Sequence, residues 1–139
     1  MSIKCWFGLF CVVLLMISVT FSQTAAEKAA EEAATNWLGL IDSGDYGVSW
    51  EHAAQLFKSA ISKEQWTEKI SAVRAPLGKM NSRELKSASY QTSLPGAPDG
   101  QYVIIQYDSA FEHKKAALET ITVMIDKDGQ WRVSGYFIR

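Results

Sequence analysis

Gln101-Tyr-Val-Ile-Ile-Gln-Tyr-Asp-Ser-Ala-Phe-Glu112, Ala117-Leu-Glu-Thr-Ile-Thr-Val-Met-Ile125 and Gln130-Trp-Arg-Val-Ser-Gly-Tyr-Phe-Ile138 follow one another at the C-terminal end of the chain. Each run is rich in β-branched and aromatic residues and is bounded by turn formers, which is the pattern of a strand. Three in succession, joined by His113-Lys-Lys-Ala116 and Lys127-Asp-Gly-Gln130, predict an antiparallel meander. Asp128-Gly129 suits a type I′ hairpin turn. Gly135 marks a bulge in the last strand that resets the parity of Tyr136 and Ile138. A fourth strand, at the sheet edge, is placed at Arg83 to Leu94, where Leu85, Tyr90 and Leu94 lie among Ser and Lys residues that discourage pairing with another chain. Leu94-Pro-Gly-Ala-Pro-Asp-Gly100 is a loop with two turn signals.

Working back from the strands, the first half of the chain is helical. Thr24-Ala-Ala-Glu27 is a capping box, in which Thr24 accepts from the third helical N–H and Glu27 reaches back to the cap. The helix it opens runs to Asp42, with Ala26, Ala30, Ala33, Trp37 and Ile41 on one stripe. The small Ala residues let it lie close to its partner, and Gly44 ends it. Ser49 is placed as the cap of a second helix carrying Trp50, Ala53, Phe57 and Ile61 on one side. Ser62-Lys-Glu-Gln65 is another capping box, opening a third helix with Trp66, Ile70 and Val73 inward. Pro76 and Gly78 stop it. Three N-terminal helices packed on a four-stranded antiparallel sheet make an α+β fold of two layers, in which the helices cover only one sheet face.

The 139 residues suffice for one domain. Lys4 followed by an apolar run from Cys5 to Phe21, then small residues at Ser22, Ala25 and Ala26, predicts a secretory signal peptide. The cut is placed after Ser22, so that 1–22 is the signal and 23–139 the domain; Ala25 and Ala26 are alternative cut points. The run is near the shortest usual membrane span of about 17 residues. No Lys/Arg cluster follows to stop transfer, so no stable anchor is expected after cleavage. Cys5 and Cys11 are the only cysteines and leave with the signal, which excludes disulfides, thiol redox chemistry and cysteine metal sites from the domain. Lys4 is the only charge removed, taking 14 basic against 15 acidic residues to 13 against 15, a net charge of −2. With no basic patch, nucleic acid is not an expected partner.

Alternation sorts the strand residues into two faces. Val103, Ile105, Tyr107 and Phe111 share one with Ile121, Val123 and Ile125; Tyr102, Ile104, Gln106, Asp108, Leu118, Thr120, Thr122 and Met124 share the other. Glu119 has the parity of the apolar set. Burial disfavours an ionised carboxylate unless it is paired, and such a group serves as an acid or base in many sites. The simpler reading pairs it with Arg74, Arg83 or Arg132. His52 and His113 stand in no catalytic or metal spacing and are expected to be solvated. Asp99, Asp126 and Asp128 lack the run of oxygen ligands that Ca²⁺ needs and belong to turns. No metal and no cofactor are expected. Trp37, Trp50, Trp66 and Trp131 could line a cavity, although tryptophans at helical spacing more often serve as core.

Asp45-Tyr-Gly-Val-Ser-Trp50, Arg74-Ala-Pro-Leu-Gly78, Leu94-Pro-Gly-Ala-Pro-Asp-Gly100, Tyr102-Val-Ile-Ile-Gln-Tyr107 and Asp128-Gly-Gln-Trp-Arg-Val-Ser-Gly-Tyr136 resemble, in that order, motifs of a bacterial family of exported proteins, the domain of unknown function 4019. The resemblance runs from about Ala33 to Ile138. It implies export to the periplasm or medium. The element order is similar to nuclear-transport-factor-2-like and cystatin-like folds, which implies helices on a curved, cone-like sheet. That fold hosts dehydratases, isomerases, ligand binders and dimerisation modules and carries no function by itself. The relatives' pairing of a pocket Asp or His with Tyr has no counterpart here that transfers residue by residue.

Three functions compete. The first is a non-catalytic binding module for a small apolar ligand or a protein partner, with Trp50, Trp66, Tyr107 and Arg74 as candidate ligand-binding residues. The second is a homodimer formed through the open sheet face at Tyr102, Ile104, Leu118 and Met124. The third is an enzyme using Glu119 as acid or base, for which the sequence shows no second catalytic group.

Overall fold

A computed structural model describes residues 23–139. The signal-peptide reading, with its cut after Ser22, falls on residues 1–22 and lies outside the described residues. Helix α1 (Ala25–Asp42) opens at the expected capping box: Glu27 N–H donates to Thr24 Oγ1 at 3.2 Å and Thr24 N–H to the Glu27 carboxylate at 3.3 Å. Its buried stripe is Ala30, Ala34, Trp37, Leu38 and Ile41. The helix is thus turned slightly from the expected stripe, leaving Ala26 and Ala33 half-buried at its margin.

The second helix is in fact two, α2 (Tyr46–Glu51) and α3 (Gln55–Ala60), so the sheet carries four helices rather than three. Tertiary hydrogen bonds make the break. Ala54 N–H donates to the Val133 carbonyl at 2.8 Å, and Gln55 N–H donates to Asp126 Oδ2 at 3.1 Å, which caps α3 from a distant turn. Ser49 is not a cap; it is fully buried inside α2. Helix α4 (Lys63–Arg74) has its capping box between Ser62 and Gln65. Trp66, Ile70 and Arg74 form its buried row, while Val73, expected inward, is exposed. A row at four-residue spacing selects Arg74 in its place.

The strands β1 (Met80–Gln91), β2 (Tyr102–Phe111), β3 (Lys114–Ile125) and β4 (Trp131–Ile138) form one open antiparallel sheet in the order β1-β2-β3-β4. β1 starts and ends three residues before the expected Arg83–Leu94, and β3 starts three before Ala117. The β3–β4 connection differs from the expected type I′ turn. Within this connection only Gly129 takes a positive φ, 79°, whereas a type I′ turn needs one at Asp128 as well. Gly129 N–H donates to Asp126 O and Asp126 N–H to Gln130 O, giving a three-residue loop with a left-handed glycine at its end.

The bulge in β4 is where Gly135 indicates. Thr122 pairs with Gly135 and Val123 with Val133, leaving Ser134 unopposed. Trp131 and Val133 before it, and Tyr136 and Ile138 after it, therefore all lie on the helix side of the sheet. Val103, Ile105, Tyr107, Ile121, Val123 and Val133 pack there against Trp37, Leu38, Ile41, Phe57, Trp66 and Ile70. On the other face Ile104, Leu118, Thr120, Thr122 and Met124 are half-buried and Phe137 is 53% exposed. Tyr102 departs from that face's pattern. The loop before β2 folds over it, its hydroxyl donates to Pro98 O at 2.5 Å, and it is buried.

Candidate functional site

Glu119 is wholly buried in the middle of β3, opposite Tyr107 on β2 and Ile138 on β4. Four donors converge on it. Arg83 of β1 donates from Nε to Oε1 at 2.7 Å and from Nη2 to Oε2 at 3.1 Å. Ser109 Oγ of β2 donates to Oε1 at 2.5 Å, and the Tyr136 hydroxyl of β4 donates to Oε2. Arg83 continues the network to α1 through Asp42, with Nη1 to Oδ2 at 2.8 Å and Nη2 to Oδ1 at 3.1 Å. Arg74 of α4 reaches the same Asp42 Oδ1 at 3.0 Å. Two carboxylates thus face two guanidiniums. Of the three arginines that the sequence offers as partners for Glu119, Arg83 alone pairs with it directly; Arg74 joins through Asp42, and Arg132 lies elsewhere.

The electrostatics of the network follow from burial opposed by pairing. Burial works against the Asp42 charge, but the hydrogen bonds and charges of Arg83 and Arg74 outweigh it and hold the carboxyl below its ordinary range. Arg83 is likewise kept protonated: burial disfavours its charge, and the hydrogen bonds it donates to Asp42 and Glu119 more than restore it. Burial, and next the charge of Glu119, push the Tyr136 hydroxyl far above the usual tyrosine range. Four hydrogen bonds occupy the acceptor positions of the Glu119 carboxylate. It has no exposed surface on which to meet a substrate.

The candidate ligand-binding residues do not share a site. Arg74 is buried over the Phe111 ring, with its guanidinium carbon 4.9 Å from the ring centroid. Tyr107 is buried beside the network, and burial raises the pKa of its hydroxyl. Trp66 Nε1 donates to Ser49 Oγ at 3.0 Å and Trp37 Nε1 to Ser49 O at 2.8 Å. The two indoles lie 5.9 Å apart between ring centroids, and Phe57 stands edge-on to Trp66 at 4.9 Å. Half-buried Trp50 donates from Nε1 to Ile61 O at 2.8 Å. These three indole N–H groups are all engaged within the domain.

Trp131 is different. It is half-buried at the start of β4, and its indole N–H has no hydrogen-bond partner among the described residues. It lines a cleft of about 610 Å³ between α1 and the start of β4. One wall is the outer margin of α1, where small Ala29 and Ala33 leave space beside Trp37 and Leu40. The other is Gln130–Val133, and His52, at the end of α2, borders it. Glu32, Asn36, His52 and Gln130 are exposed on its rim, and their side chains make no hydrogen bonds among the described residues. Arg132, also in the lining, is paired: Nη1 and Nη2 each reach an Asp128 oxygen at 2.6 Å, and Asp126 Oδ2 lies 3.5 Å from Nη1. The hydrogen bond from Arg132 is the main reason that the Asp128 carboxyl is held at about 2.

None of Trp50, Trp66, Tyr107 and Arg74 borders this cleft. The sequence did flag Trp37 and Trp131 among the tryptophans that could line a cavity, but nothing local in it separates them from the core pair. Among the described residues no three His, Cys, Asp or Glu side chains cluster as metal ligands would.

Comparison with protein families matches residues 33–136 to the family described as "Protein of unknown function (DUF4019)". No curated protein matches the chain.

Proposed function

The chain belongs to the DUF4019 family, whose description assigns no activity, and we propose from its own residues that it is a non-catalytic binding module. The observation that carries this reading is the cleft between α1 and β4, with free hydrogen-bonding groups beside an indole whose N–H is unengaged. Its volume of about 610 Å³ falls in the range of roughly 300–1,000 Å³ common for small-molecule sites. The apolar run Cys5–Phe21 and the lack of cysteine after Cys11 support a further part of the proposal, that the domain is exported and works in the periplasm or outside the cell. N-terminal sequencing of the protein recovered from that compartment tests the cut after Ser22; an intact Met1 would overturn it.

Native mass spectrometry of the recovered protein tests the binding module. The expected result is a discrete added mass that disappears in Ala33→Trp, which fills the cleft from α1. A bare monomer from every preparation, unaltered by Ala33→Trp, would count against it. A second reading, a homodimer, is supported by one observation: Phe137 is 53% exposed on the uncovered sheet face, which also carries half-buried Ile104, Leu118 and Met124. A mass of two subunits that reverts to one in Phe137→Asp would favour it. The enzyme reading, through Glu119, has the least support, because every acceptor position of that carboxylate is engaged inside the protein.

A further inference from the structure

We propose that the α1–β4 cleft takes a neutral saccharide; this rests on the binding-module reading and names its ligand class. Three properties of the lining select that class together. The first is charge. Arg132, the guanidinium in the lining, is held in a bidentate pair by Asp128 and is also faced by Asp126, while Glu32 adds a negative rim. An anionic ligand would find no unpaired guanidinium or ammonium in the lining and would meet the Glu32 carboxylate on its rim. A cationic ligand would find two indoles, of which Trp37 is almost wholly buried, rather than the several open ring faces that surround an ammonium group in a cage.

The second property is the kind of polar group left free. Asn36 and Gln130 amides, the His52 imidazole, the Glu32 carboxylate and the Trp131 indole N–H have no partner among the described residues. Together they offer both donors and acceptors on planar ends. Sugar hydroxyls both donate and accept, so each can satisfy such a group in either sense. A purely apolar ligand would strip water from those groups and leave them unpaired, at a cost for each one buried.

The third is shape. The C–H face of a pyranose is flat and apolar and matches an indole, which has an apolar body and a polar edge. Among the described tryptophans Trp131 alone is free to serve in that way, since Trp37, Trp50 and Trp66 are tied down by Ser49 and Ile61. Opposite it, Ala29 and Ala33 provide the gap that a ring would occupy.

The test is a titration of the isotope-labelled domain, followed by NMR, with maltose, cellobiose and N,N′-diacetylchitobiose, and in parallel with indole as an apolar probe. At least one disaccharide is expected to shift the Trp131 indole N–H and the Asn36 and Gln130 side-chain amides saturably. Trp131→Ala should weaken that binding by about tenfold or more. Ala33→Trp should abolish it while the amide spectrum remains that of a folded domain. Saturable shifts at the same groups with indole and with none of the sugars would overturn the saccharide class and leave the binding module standing. No shift with any probe in a well-dispersed spectrum would overturn the cleft as a site, and the reading beneath it. Saccharide shifts confined to residues away from Trp131, and insensitive to Ala33→Trp, would overturn the assignment of this cleft alone.

Discussion

Tyr136 reaches Glu119 because β4 carries one residue more than the strand it pairs with. Without the unopposed Ser134, Tyr136 would share the outward parity of Arg132, and its hydroxyl would point to the uncovered face. The bulge turns a strand-end aromatic into the fourth donor of a buried carboxylate. Removing that carboxylate as Glu119→Ala should destabilise the domain by about 3–5 kcal/mol, the usual cost of breaking a buried pair from one side. Tyr136→Phe should cost about 1–3 kcal/mol, as one charge-assisted bond is lost. Urea unfolding of both single variants and the double variant checks this. A double variant as unstable as the two losses added together would mean that the residues act independently.

Acid should weaken the fold through Asp42. Its carboxyl is held below the ordinary value of 3.8 in the folded state. A depressed folded pKa gives stability that is present in full above the unfolded value and lost as pH falls through the folded one. Unfolding free energy should therefore decline from just above pH 4 downward, and Asp42→Asn should flatten part of that decline. An unchanged slope in Asp42→Asn would remove Asp42 from the account of acid sensitivity.

Ser49 holds the helical layer at one point. Its hydroxyl accepts from Trp66 and donates to Tyr46 O at 2.6 Å, and its carbonyl accepts from Trp37. Ser49→Ala leaves the buried Trp66 N–H unpaired and should cost about 1–3 kcal/mol. Near-ultraviolet circular dichroism should report loosened indole packing, with the far-ultraviolet signal kept.

Gly78 sits at φ 71°, and a Cβ there would lie 2.8 Å from the His113 ring and 3.0 Å from Glu112 Cβ. Gly78→Ala combines a left-handed non-glycine residue with a clash against the β2–β3 turn. The expected loss is about 1–3 kcal/mol. Thermal melts of this variant beside Gly96→Ala separate the two effects: Gly96 has φ 76° with nothing within 4 Å, so it carries the backbone penalty alone.

Local chemistry made much of this fold legible. Both capping boxes, the period-two strands and the bulge at Gly135 are written in neighbouring residues, and each forms as those residues direct. Glu119 stood out by parity, and its partner was among the arginines in view. The rest depends on residues far apart. Ala53 and Ala54 are good helix formers, and the chain breaks there only because Val133 and Asp126 supply better partners. The rotation of α4 that buries Arg74 and exposes Val73 answers to Asp42, which no spacing within α4 reveals. The cleft is the space left between Ala33 and Trp131, nearly a hundred positions apart in the chain.

The bond from Ala54 N–H to Val133 O also bears on how copies of this protein could stack. A sheet grows into a fibre only if both of its outer strands can accept a neighbour. Here the helical break caps the edge of β4 at Val133, the third of its eight residues, so a copy pairing along the whole of β4 would have to displace Ala54. Edge-on association of the folded domain is therefore disfavoured at the start of β4, and full-length pairing there would require the segment between α2 and α3 to come away first.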